Sequence, residues 1–137
     1  MDDLDREILD VLRRDARTPY TEIAKRVGTS EGTVRNRVDR MTSEGVIERF
    51  TVATRTGNVK AMIEIDIDVA VDTAAVTERI AAWPEVDFVW QVSGEEDIVF
   101  VVDAADTQGV NRLITQAREL EEVIRTKTRL ILDERLG

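Results

Sequence analysis

The chain has 137 residues, 42% of them apolar, which is enough to pack one ordinary domain or two small ones, and its formal charge is −9. It contains no cysteine and no histidine, so a disulfide framework, thiolate metal sites and the commonest general base are excluded, and no catalytic residue, metal or cofactor is expected. No apolar run is long enough to cross a bilayer and the start, MDDLDRE, is acidic, so neither a membrane span nor a secretory leader is expected and the cytoplasm is the expected compartment.

The charge is unevenly placed. Residues 1–50 hold ten Lys and Arg against eleven Asp and Glu, whereas residues 51–137 hold nine against seventeen. A nearly neutral first part can still present basic side chains on one face, because charges elsewhere are screened over about 8 Å at physiological ionic strength. The basic residues are sixteen arginines and three lysines. An acidic, lysine-poor and arginine-retaining balance suggests a salt-adapted organism.

In chain order, Leu4, Ile8, Val11 and Leu12 follow a helical period through LDREILDVLRRDAR. Asp2, Asp3 and Asp5 at its start and Arg13, Arg14 and Arg17 at its end suit the helix dipole. Residues 20–45, YTEIAKRVGTSEGTVRNRVDRMTSEG, read as two short helices across a tight turn. Ala24 allows close approach, Gly28 tolerates a positive φ in the turn, and Val34 anchors the second helix, the three requirements of a helix-turn-helix. Ser30 is a suitable N-cap, and Val34, Val38 and Met41 form the apolar stripe. Ser30, Glu31, Thr33, Arg35, Asn36, Arg37 and Arg40 are left to face double-stranded DNA, arginine and asparagine being able to pair with guanine and adenine edges. A helical hairpin with a merely solvated charged face is the alternative.

Gly45 ends that helix, and the β-branched alternation in VIERFTVATRTGNV predicts an extended arm or wing, with a linker strand over 51–57. Arg49 and Arg55 would reach the phosphate backbone from it; a plain linker strand is the alternative. From residue 59 the period becomes two. Val59, Ala61, Ile63, Ile65, Ile67 and Val69 predict a strand, Val76, Ile80 and Trp83 a helix, Val86, Phe88, Trp90 and Val92 a second strand, and IVFVV a third beyond a Gly94 turn. Val110, Leu113, Ile114, Ala117 and Leu120 predict a second helix, and residues 123–132 a last strand. The order β-α-β-β-α-β specifies an α+β, ferredoxin-like domain over 58–137 behind a helix-turn-helix domain over 1–50. Its helices would cover one sheet face, leaving the other, with Met62, Val89 and either Thr126 and Thr128 or their neighbours, to pair with a second copy in a homodimer.

Across nearly its full length the chain resembles the Lrp/AsnC (feast/famine) transcription regulators, through LDREILDVLRRDAR, IAKRVGTSEGTVRNRVDRMTSEGVI and the hairpin VSGEEDIVFVV. The resemblance implies sequence-specific DNA binding, dimers joined through the C-terminal sheets and assembled further into tetramers or octamers, and a small effector, usually an amino acid, bound near that hairpin. Gly94 and Asp97 match the hairpin's Gly and Asp, with Asp97 placed to meet the effector's ammonium. Glu96 stands where the family often has an aromatic residue. Thr126 and Thr128 are further candidates from the last strand. The alternative function is a homo-oligomeric metabolite-sensing or interaction module without DNA binding. A haem-biosynthesis decarboxylase of similar architecture would be expected to use histidine, which this chain lacks.

Overall fold

The computed structural model describes all residues, 1–137, and divides into two compact units, Met1–Thr54 and Arg55–Gly137. No helix is long and apolar enough to cross a membrane.

The first unit contains α1 (Asp3–Arg14), α2 (Tyr20–Val27) and α3 (Glu31–Ser43). Each start has a local cause. The Asp2 carboxylate accepts from the Asp5 N–H at 2.9 Å while that of Asp5 accepts from the Asp2 N–H at 3.0 Å, a reciprocal capping box. Pro19, with φ −59°, precedes α2, and the Ser30 hydroxyl accepts from the Thr33 N–H at 3.2 Å to open α3. Gly28, left-handed at φ 73°, ends α2, and the Thr29 N–H returns to the Ala24 carbonyl at 2.9 Å. The core is Ile8, Leu12, Ile23, Ala24, Val34, Val38, Met41 and Ile47.

The arm or linker strand expected over 51–57 is not formed. Residues 48–56 have no regular secondary structure, and Phe50 and Val52 lie exposed. Alternating β-branched residues favour an extended backbone, but a strand also needs a neighbour to accept and donate its ladder hydrogen bonds, and this segment has none. Arg55, expected to reach phosphate, instead donates to the Glu134 carbonyl at 3.1 Å.

The second unit is a four-stranded antiparallel sheet in the order β2-β3-β1-β4, with β1 (Val59–Ile67), β2 (Val86–Gln91), β3 (Ile98–Ala104) and β4 (Val123–Leu130). The crossover helices are α4 (Thr73–Ala81), capped by Asp72, and α5 (Thr107–Arg118), capped by Asp106. Ala61, Ile63, Ile65 and Ile67 of β1 and Ile98, Phe100 and Val102 of β3 pack against Val76 and Ile80 of α4 and Val110, Leu113 and Ala117 of α5. The Trp83 and Phe100 rings pack in a T-shaped pair with centroids 5.9 Å apart.

The opposite face carries Met62, Glu64 and Asp66 on β1, Val99 and Val101 on β3, Phe88 and Trp90 on β2, and Arg125, Lys127 and Arg129 on β4. One expectation changes here, and one open alternative is decided. Val89 lies opposite Phe100 and packs into the core, because an irregularity between Val86 and Phe88 reverses the alternation of β2 and turns Phe88 and Trp90 outward. Thr126 and Thr128 lie opposite Ile65 and Ile63 on the helix side, so it is their neighbours that occupy the open face.

Gly28 is the turn's conformational requirement, and a Cβ there would meet nothing within 4 Å. The cost of Gly28→Ala is therefore backbone strain alone, about 1–2 kcal/mol, and urea denaturation should show that loss with binding contacts intact.

Candidate nucleic-acid interface and ligand site

The rotation of α3 follows from its buried side. Val34, Val38 and Met41 are at most 2% exposed, which sends Gly32, Arg35, Asn36, Asp39 and Arg40 outward. Arg35 donates to Glu31 at 2.8 Å and lies over the Tyr20 ring at 5.3 Å, so α2 and α3 together hold its head group. Thr33 shares a hydroxyl contact with Ser30 at 2.9 Å at the helix start. Asn36 is exposed and Gly32, one turn earlier, carries no side chain, so the two form a shallow stripe between Arg35 and Arg40. Arg49 is exposed beside a groove lined by Leu9, Leu12 and Ile47.

Arg37 differs from expectation. It donates to Asp2 and, at 3.1 Å, to Asp5, both at the start of α1, and its side chain is only 27% exposed. Arg40 joins the same cluster, donating to Asp5 at 2.5 Å. Arg37 lies off its own helix's apolar stripe yet on the flank that α1 covers, so it ties two helices together. Asp5 is fully buried. A sign of this was present in the sequence: Asp5 stands three residues before Ile8 and seven before Leu12, on the buried side of α1. Tyr20 gave no such signal.

The Arg37 guanidinium, followed by the Asp5 N–H, holds the Asp2 carboxyl down at about 2 from its ordinary 3.8, and the Asp2 N–H likewise lowers Asp5 against the opposing effect of burial. A carboxylate depressed in the folded state stabilises fully above its unfolded value, and that contribution disappears as pH falls through the folded one. Acid titration of unfolding should therefore show stability lost between about pH 4 and pH 2, with a shallower loss in Asp2→Asn or Arg37→Ala.

In the second unit, Gly94 sits at φ 127° in the turn between β2 and β3. The Asp97 carboxylate accepts from the Ile67 N–H at 2.9 Å, and its own N–H donates to the Ile65 carbonyl at 3.0 Å. Asp97 thus closes the end of β1 with one carboxylate oxygen, Oδ2. Glu96 pairs with Lys127 at 2.7 Å, which lowers the glutamate and raises the lysine. The candidates divide between the two sheet faces: Glu96 meets Lys127 of the open face, whereas Thr126 accepts from Arg118 of α5 at 3.2 Å on the other side and Thr128 is exposed at the edge strand. Asp97→Ala should destabilise this unit by about 1–3 kcal/mol in urea titrations by orphaning the Ile67 N–H, and Asp97→Asn, which keeps an acceptor, should recover most of that loss.

A helix-turn-helix with an outward arginine and asparagine, followed by a βαββαβ unit, defines a DNA-binding transcriptional regulator with a separate ligand-binding domain. Residues 1–42 match the AsnC-type helix-turn-helix domain and residues 60–136 the Lrp/AsnC ligand binding domain, and the chain belongs to the Lrp/AsnC family. The HTH-type transcriptional regulator LysM of Saccharolobus solfataricus is 32% identical over 133 residues, 96% of this chain and 94% of that protein. The crystal structure of the Mycobacterium tuberculosis leucine response regulatory protein, LrpA, superposes with a TM-score of 0.84 at 29% identity, covering 100% of this chain and 96% of that one. The fold is also shared by the Neisseria meningitidis regulator NMB0573 in complex with L-Met, at TM-score 0.80 and 21% identity over 100% of this chain and 93% of that one.

Proposed function

We propose that this regulator acts as a homo-oligomer, reads its operator through Arg35 and Asn36 beside Gly32, and changes its DNA affinity on binding an amino acid at the Gly94–Asp97 hairpin. The observation that carries the reading is the outward face of α3, where Arg35 is braced by Glu31 and Tyr20 and Asn36 stands free. Both are groups that pair with base edges in the major groove. Ser30, Glu31 and Thr33 supply the helix start that enters the groove, and Arg40 and Arg49 approach phosphates. Arg37 serves the domain's own packing first.

Homodimerisation is supported by the open sheet face, where Phe88 and Trp90 stack at 5.5 Å beside Val99, Val101 and Met62. An apolar patch of that kind on an uncovered sheet calls for a partner surface. A two-fold pair would set two α3 helices at half-sites one helical turn apart, roughly 34 Å. The amino-acid effector is supported by the L-Met complex of a protein of the same fold. It is also supported by the hairpin's chemistry: the Asp97 carboxylate suits an ammonium, and Lys127, once released from Glu96, suits a carboxylate.

The test is binding to a duplex from the gene's own upstream region, at high and low potassium, with and without individual amino acids. Specific binding that shifts with one amino acid is expected, and Arg35→Ala or Asn36→Ala should each weaken it by about 1–3 kcal/mol. Specific binding indifferent to every amino acid would retire the hairpin site. No binding at any salt by a clean dimer would favour an interaction module.

A further inference from the structure

We propose that Asp5 is a positioning residue for DNA binding, its buried carboxylate holding the Arg40 guanidinium in place as a phosphate contact beside the recognition face. This rests on α3 being the helix that faces DNA.

Asp5 has no exposed surface, yet it sits on the side of α1 that carries Ile8 and Leu12. A charge withdrawn from water in such a place persists only with close counter-charges and filled hydrogen bonds. Those partners come from α3. One Asp5 oxygen accepts from Arg37 at 3.1 Å, and the other accepts from Arg40 at 2.5 Å and from the Asp2 N–H at 3.0 Å. Capping α1 needs only an acceptor, which a neutral amide would supply equally. The negative charge is matched instead to two arginines one turn apart on the recognition helix.

The two arginines are held differently. Arg37 is gripped by Asp2 as well as Asp5 and is mostly covered. Arg40 uses one terminal nitrogen on Asp5 and keeps 44% of its side chain exposed, four residues along α3 from the exposed Asn36. A guanidinium already fixed in one orientation loses less freedom on meeting phosphate than one at the end of a mobile chain.

Removing a negative charge beside a DNA-binding face would by itself tighten binding. A positioning role has the opposite sign, and that separates the two. The experiment measures affinity of the full chain for the upstream duplex across a potassium chloride series, for the unaltered protein, Asp5→Asn, Arg40→Gln, the Asp5→Asn/Arg40→Gln double variant and Asn36→Ala, with melting temperatures recorded for each. Asp5→Asn should weaken specific binding about tenfold and have no further effect in the Arg40→Gln background, since the two act as one unit. Arg40→Gln, which alters an exposed side chain and tests the contact even where Asp5→Asn folds poorly, should lower the slope of log K against log salt by about one. Tighter binding by Asp5→Asn, equal losses from it in both backgrounds, or an unchanged slope in Arg40→Gln would overturn the proposal. Loss of specificity in Asn36→Ala with Asp5→Asn unaffected would overturn the positioning role alone, and indifference of Asn36→Ala would overturn the recognition face and this role with it.

Discussion

The inward seating of Val34, Val38 and Met41 is the constraint from which the DNA-binding unit follows. Fully burying an apolar side chain of this size is worth about 1.5–3 kcal/mol, while an exposed pair such as Arg35 with Glu31 contributes about 0.3–0.5 kcal/mol. Packing therefore decides the rotation of α3, and the charged side chains fall where that rotation leaves them. Gly28 and Ser30 fix where the helix begins, so the residues of its first turn are set in register as well. The surface offered to DNA is in this sense the complement of a small core built on Ile8, Ile23 and Ala24.

The ligand-binding unit obeys a similar rule with a two-residue period. β1 lies between β3 and β4, and Ala61, Ile63, Ile65 and Ile67 commit one face to the helices. The other face is divided. Toward β2 it is apolar and aromatic; toward β4 it is a lattice of acids and bases, with Asp66 bonded to Arg125 at 2.6 Å and Glu64 3.9 Å from Arg129. The hairpin joins these layers through Asp97, whose backbone and side chain both bond to the end of β1.

Most of the fold was legible in the sequence because its elements are strongly periodic and clearly punctuated: the Ala24–Gly28–Val34 spacing, the Ser30 cap and the alternation of β1 each reflect a local cause. The misread parts depend on neighbours that periodicity does not encode. The β-branched run after Gly45 lacks a partner strand; the irregularity in β2 exchanges the faces of Val89 and Phe88. In the recognition helix, a wheel drawn on α3 shows that Arg37 leaves the apolar stripe but not that α1 lies beside it. The hairpin candidates were found as a motif, yet Thr126 and Thr128 proved to point away from Glu96 because β4 pairs with β1 in a register no spacing revealed.

Gly32 lies on the outward side of the first turn of α3, and a Cβ there would meet nothing within 4 Å. It is the second residue of α3, so a small side chain such as alanine is accommodated there without displacing a neighbour. A longer side chain would project from the outward face of α3 with no core residue obliged to change. If α3 reads the operator as proposed, its contact surface can therefore be altered at this one position while the scaffold stays still.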